Sequence, residues 1–242
     1  MNIFKTSLVF AVAASSVCAF AANAFSAWRF EKWNAKKTQN YASNGIILYN
    51  SKIAEKQGFN NTNGILCDKK TTGQAGGYKY IQDCKEFSWE IKFKLSKGVD
   101  GRFGNVLLCY GKNSYGRGQA MFWITPKKQL QYRVNQGDSK LAQYLTSKTL
   151  DIKPDVWYTA RVAVRDGAES KIYLDGVEVA SQGKNSVSLS SITAKIPQGY
   201  PLFVIGRDLT DLAKVYRPLN GYVDDIVIWK SFEPIAQKTA EK

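Results

Sequence analysis

The sequence contains no histidine among its 242 residues. That absence removes Ser-His-Asp and Cys-His catalysis, histidine general bases and every zinc site built on imidazole. Cysteine is sparse, at four residues; Cys18 falls within the first two dozen residues, and Cys67, Cys84 and Cys109 are too few for a four-thiolate metal site. Sustained helical periodicity is missing. No apolar run reaches the roughly 20 residues that a spanning helix needs. Acidic residues are the minority charge, 20 against 34 Lys and Arg for a net +14, and the basic ones are scattered with no run long enough to form a basic arm. Such a surface attracts polyanions: uronate or sulfated glycans, anionic cell-surface polymers, or nucleic acid met without specificity.

The first 24 residues have the layout of a secretory signal: Lys5 in a short charged start, an apolar run from Leu8 to Phe20, and small residues at Ala22 and Ala24. Cleavage after Ala24 is expected, which places the mature chain in the periplasm or outside the cell with no membrane span. Val17 stands before Cys18 where lipoproteins carry a small residue, so lipidation is not expected. In an oxidising compartment Cys67 and Cys84 are the natural pair. They would close a loop of 16 intervening residues, worth about 3 kcal/mol in the chain-entropy account. Cys109, in the apolar run NVLLCYG, reads as an inert core thiol.

What is present is a series of short apolar or alternating runs separated by Gly, Asn, Asp and Lys. Phe87, Trp89, Ile91, Phe93 and Leu95 alternate with Ser88, Glu90, Lys92, Lys94 and Ser96, the pattern of a half-buried strand. Tyr158 to Arg165 alternate likewise. Asp175-Gly176 between Leu174 and Val177 marks a tight hairpin. Further strands are expected near Trp28 to Trp33, Gly45 to Tyr49, Gly64 to Cys67, Asn105 to Tyr110, Ala120 to Ile124, Gln129 to Asn135, Pro201 to Gly206 and Leu219 to Trp229. This many short strands imply two packed antiparallel sheets in one domain over residues 25–232. Residues 233–242 are polar enough for a loose tail.

Four of these pieces, in order, are Trp157, Tyr173-Leu174-Asp175-Gly176, Ile205-Gly206 and Gly221-Tyr222-Val223-Asp224-Asp225-Ile226-Val227-Ile228. The combination resembles the laminin-G-like domains of the concanavalin A-like lectin/glucanase superfamily in their bacterial jelly-roll form. The resemblance is concentrated from Phe87 to Trp229. It implies an all-β, two-sheet antiparallel jelly-roll sandwich, a fold shared by lectins, adhesion modules and polysaccharide-cleaving enzymes. Hydrolases of this fold carry E-x-D-x-x-E or E-x-D-x-E on one strand, and the alginate lyases a Gln-x-His and a YFKxGxYxQ strand. None of these motifs occurs here, so the reading favours binding over turnover.

The resemblance also implies a use for Asp224 and Asp225. In related sandwiches an aspartate of the closing strand binds a structural Ca²⁺ with backbone carbonyls of the N-terminal strand. The alternative is that hydrogen-bond donors of the chain satisfy the buried carboxylate without metal. Strict alternation puts Tyr222, Asp224, Ile226 and Ile228 on one face and Val223, Asp225, Val227 and Trp229 on the other. Sugar binding needs aromatic faces and planar hydrogen-bonding groups. Tyr115 and Arg117 in the loop YGKNSYGRG, Trp123 on the next strand, and Gln131, Arg133 and Asn135 on the polar face of QLQYRVNQG supply both, with Arg207 and Tyr216 near by. The expected function is a secreted, non-catalytic, lectin-like carbohydrate-binding domain, suited by charge to anionic polysaccharides. The alternatives are a protein-interaction or adhesion domain of the cell envelope and a divergent lyase or hydrolase.

Overall fold

Alternating side chains bury one face of each strand, and the computed structural model assembles those faces into a two-sheet sandwich. It describes residues 24–31, 40–43, 47–48, 51–71, 73–75, 84–111, 119–135, 143–184, 202–208 and 217–236. Along the chain the strands are β1 (Ser26–Trp28), β2 (Asn40–Tyr41), β3 (Ile47–Leu48), β4 (Lys52–Ala54), β5 (Gly64–Cys67), β6 (Gly73–Ala75), β7 (Glu86–Leu95) and β8 (Asn105–Gly111). They continue with β9 (Gln119–Ile124), β10 (Leu130–Asn135), β11 (Gln143–Thr146), β12 (Trp157–Arg165), β13 (Glu169–Leu174), β14 (Val177–Gln182), β15 (Leu202–Ile205) and β16 (Gly221–Trp229).

The large sheet runs β14-β13-β12-β7-β16-β5-β4, with β1 joined to β16, and the small sheet runs β11-β10-β9-β8-β15-β6. Every pairing is antiparallel, as a jelly roll requires. Between the sheets lies one aromatic seam. Trp28 stacks on Phe203 with centroids 6.2 Å apart, and Phe203 meets the edge of Trp89 at 5.8 Å. Phe87 and Tyr132 close the group, at 4.9 Å from Phe87 to Trp89 and 5.8 Å from Phe87 to Tyr132. Trp28, Phe87 and Trp89 come from the large sheet and Tyr132 and Phe203 from the small one, so these rings pin the layers together. Among the described residues no helix is long and apolar enough to cross a membrane.

The hairpin forms as expected. Asp175 and Gly176 both have positive φ, 50° and 83°, the twist that matches a two-residue turn to its flanking strands. Three details depart from the sequence reading. Gly73–Ala75, outside the strands expected from the sequence, forms β6, which pairs with β15. Strict alternation fails in β16, because a register shift between Asp224 and Ile226 leaves Asp225, at φ 41°, as an extra residue. Beyond that bulge Ile226 and Ile228 join Val223 in the core, while Val227 and Trp229 turn outward with Ala27.

The third departure concerns sulfur. The expected bridge between Cys67 and Cys84 is not made: Cys67 is a free thiol, wholly buried in the core. Its Sγ lies against Gly206, where an added Cβ would sit 2.7 Å away. Cys67 is thus a packing element aimed inward, and burial pushes its thiol up to about 12. Cys109 is buried, in keeping with a core thiol.

Past β16 the described chain continues to residue 236. Glu233 donates its N–H to Ser88 Oγ at 2.8 Å, and its carbonyl accepts from Arg161 at 3.2 Å. Residues 1–23, where the leader is expected, and residues 237–242 lie outside the described residues.

Candidate functional site

The outward face of the small sheet is built from the alternate residues that the core does not take. Registers place Val106, Trp123, Gln131 and Thr146 in one cross-strand row, and Val204, Cys109, Met121, Arg133 and Tyr144 in the next. The middle of this face is closed. Val106, Cys109, Met121 and Val204 are buried, with Trp123 packed on them. Toward the β11 edge the face opens, and Tyr144 is 49% exposed.

Side chains in the open part hold one another in place. Trp123 Nε1 donates to Gln131 Oε1 at 2.9 Å, and Gln131 Nε2 donates to Thr146 Oγ1 at 2.8 Å. This chain fixes which end of the amide faces which neighbour. The Arg133 guanidinium lies over the Tyr144 ring, 5.6 Å from its centroid. Its buried Nε has no hydrogen-bond acceptor among the described residues. Arg217 stacks on Trp123 at 5.3 Å and pairs with the buried Asp208. Each ring thus has a cation over one face, and Tyr144 is the more exposed of the two.

Among the described side chains no carboxylate stands on the outward face of β9, β10 and β11, which is formed by Met121, Trp123, Gln131, Arg133, Tyr144 and Thr146. Arg133 is the charged side chain of this described face.

A family model described as the concanavalin A-like lectin/glucanases superfamily, of the laminin-G type, matches residues 79–232, more than half of the chain. The chain belongs to this superfamily. No curated protein sequence is similar enough to count as a match. Among solved structures, the chain is similar to the CBM40 domain of the Ruminococcus gnavus IT-sialidase bound to α2,3-sialyllactose. The TM-score is 0.56 at 14% identity, over 70% of this chain and 91% of that one. It is also similar to the binding domain of botulinum neurotoxin DC in complex with SialylT (TM-score 0.59, 13% identity, 87% of this chain and 48% of that one). The serotype C1 neurotoxin binding domain gives 0.60 at 14% identity, over 87% and 49%. The chain thus spans about half the length of the toxin domains it matches. At these identities the likeness is one of fold.

Within this concanavalin A-like sandwich, Trp123, Gln131 and Arg133 do share one face, as the sequence reading expects. Asn135 ends β10, with its side chain outside the described residues, and Arg207 follows β15 and is nearly buried, at 9% exposure. Tyr115, Arg117 and Tyr216 fall outside the described residues. Tyr144 and Thr146 were missed because QYLT was not read as a strand; its Tyr and Thr are strand formers that offered the signal. Arg217 gave no local signal, since only the fold brings it over Trp123.

Asp224 and Asp225 do not converge on one point. Asp224 Oδ2 accepts from Phe59 N–H at 2.8 Å and from Thr62 Oγ1 at 2.7 Å, while Oδ1 accepts from Asp225 N–H at 2.7 Å. Asp225 binds Lys92 Nζ at 2.6 Å. Through these bonds Asp224 fastens the Phe59–Asn61 turn to β16. Burial nonetheless raises its carboxyl to about 6. Among the described residues no cluster of three or more His, Cys, Asp or Glu is positioned to hold a metal ion.

Proposed function

We propose that the protein is an exported, non-catalytic carbohydrate-binding domain that takes acidic glycans on the outward face of the small sheet, along β9, β10 and β11. The observation that carries this reading is the Arg133 guanidinium held over the half-exposed Tyr144 ring. A sugar ring stacks on Tyr144, its carboxylate accepts from the guanidinium, and Gln131 and Thr146 meet its hydroxyls. The lack of carboxylates among the described outward side chains of these strands and the net +14 charge favour an anionic ligand. The sialyllactose-bound CBM40 neighbour supports a saccharide on a sandwich of this kind. The leader features of the first 24 residues support export.

A glycan array probed at low and high salt tests this. Binding to uronate or sialylated glycans should weaken but persist at high salt, because ring stacking outlasts diffuse charge attraction. Tyr144→Ala and Arg133→Ala should each lower affinity roughly tenfold or more. Loss of all binding at high salt, or variants that bind like wild type, would remove this face from the function.

A further inference from the structure

The outward face of the large sheet divides into two halves of different character. Over one half lies the segment after β16. Ser88 Oγ donates to the Ser231 carbonyl at 2.9 Å, Glu233 is anchored to Ser88 and Arg161, and Arg165 lies over the Phe232 ring at 4.7 Å. The cations there have acidic partners, Arg161 with Glu90 at 2.6 Å and Arg165 with Glu86 at 2.8 Å.

Beyond this strap the registers define a row across five strands: Trp157, Lys94, Tyr222, Leu66 and Lys52. The row holds no acid. The Lys94 ammonium sits between two half-buried rings, 5.4 Å from Trp157 and 5.0 Å from Tyr222. Neither Lys94 nor Lys52 has a carboxylate partner among the described residues. Phe59 meets Trp157 edge-on at 6.2 Å and is held in place by the turn that Asp224 fastens. Trp157 and Tyr222 stand two strands apart, about 10 Å, with a cation midway.

We infer that this row is a second saccharide site, on the side of the sandwich opposite Tyr144, and that it takes an extended acidic oligosaccharide. Two sugar rings lie on Trp157 and Tyr222, and a carboxylate meets Lys94 between them. The aromatic faces select a saccharide over an acidic peptide, and the unmatched lysines select an acidic one over a neutral one. The choice of ligand class rests on the proposed function; the site does not. With a site on each face, one chain joins two polymer strands.

Calorimetric titration with a galacturonate hexasaccharide, together with turbidity on long polygalacturonate, tests the inference. The wild type should show two sites per chain and cloud the polymer solution. Lys94→Gln and Tyr222→Leu, both at partly exposed positions and checked for unchanged melting, should each weaken one site roughly tenfold or more, leave the other intact and abolish clouding. If Arg133→Ala changes nothing while Lys94→Gln removes all binding, this site stands and the proposed small-sheet site falls. A single site insensitive to Lys94→Gln and Tyr222→Leu overturns the inference, as does hexaglutamate binding as tightly as the saccharide.

Discussion

Replacing Asp224 probes the joint between β16 and the Phe59–Asn61 turn. Its carboxylate accepts three hydrogen bonds, two from backbone N–H groups and one from Thr62. Asp224→Ala leaves the Phe59 and Asp225 N–H groups without that acceptor, at about 1–3 kcal/mol each, while the Thr62 hydroxyl turns to the Phe59 carbonyl. The ionised carboxylate carries an opposing cost. Burial raises the carboxyl from 3.8 to about 6, and a difference of roughly two pH units is worth about 3 kcal/mol. Two unmet N–H groups at about 2 kcal/mol each, less that ~3 kcal/mol, leave a loss for Asp224→Ala at neutral pH of about 1 kcal/mol.

Asp224→Asn keeps an accepting oxygen for Phe59 and Thr62 and removes the charge, so at neutral pH it should stay within about 1 kcal/mol of wild type. The pH dependence separates the two effects. Because the folded carboxyl titrates above its unfolded value, its contribution is fully present below pH 3.8, declines as pH rises toward 6 and is constant above. Urea denaturation from pH 4 to 7 should show wild-type stability falling relative to Asp224→Asn by up to about 3 kcal/mol over that interval. The reasoning fails if Asp224→Ala unfolds at the wild-type urea midpoint, or if the two curves run parallel in pH.

Three further outcomes follow from the packing. Gly104 has φ +69°, and a Cβ there would lie 2.2 Å from the Ile124 carbonyl oxygen, so Gly104→Ala should cost roughly 2 kcal/mol or more in thermal denaturation. An unchanged melting temperature would contradict the close approach of these strands. Cys67 should resist a thiol reagent in the native protein and be labelled once the chain is unfolded without reductant, as mapped by mass spectrometry; a Cys67 still unlabelled after unfolding would restore the bridge to Cys84. Adding Ca²⁺ or EDTA should leave the melting temperature unchanged, since Asp224 already accepts three hydrogen bonds and Asp225 holds Lys92. A Ca²⁺-dependent rise would show instead that these carboxylates ligate a metal.

The parts of the fold legible in the sequence were those with a local code. β7 and β12 announce themselves by period-2 alternation, and the β13–β14 turn by two residues that tolerate positive φ. β4 and β6 carry no such code, because Lys52–Ala54 and Gly73–Ala75 are strands only by virtue of their partners β5 and β15. The bulge at Asp225 was invisible for a related reason: an inserted residue reverses every later side chain without changing composition. At the small-sheet face, Trp123, Gln131 and Arg133 were legible because two adjacent strands suffice to place them. Trp157, Lys94 and Tyr222 come from strands far apart in the chain, and each alone reads as ordinary alternation.

The position of β16 also bears on the order in which the molecule assembles. Gly221–Trp229 comes late in the sequence, yet it lies between β7 and β5 and also carries β1. Until that segment arrives, β5 with β4 on one side and β7 with β12 on the other have no neighbour to join them, so loop closure over more than a hundred residues precedes completion of the large sheet. A nascent chain then remains open for most of its synthesis, and refolding should be slow for its size.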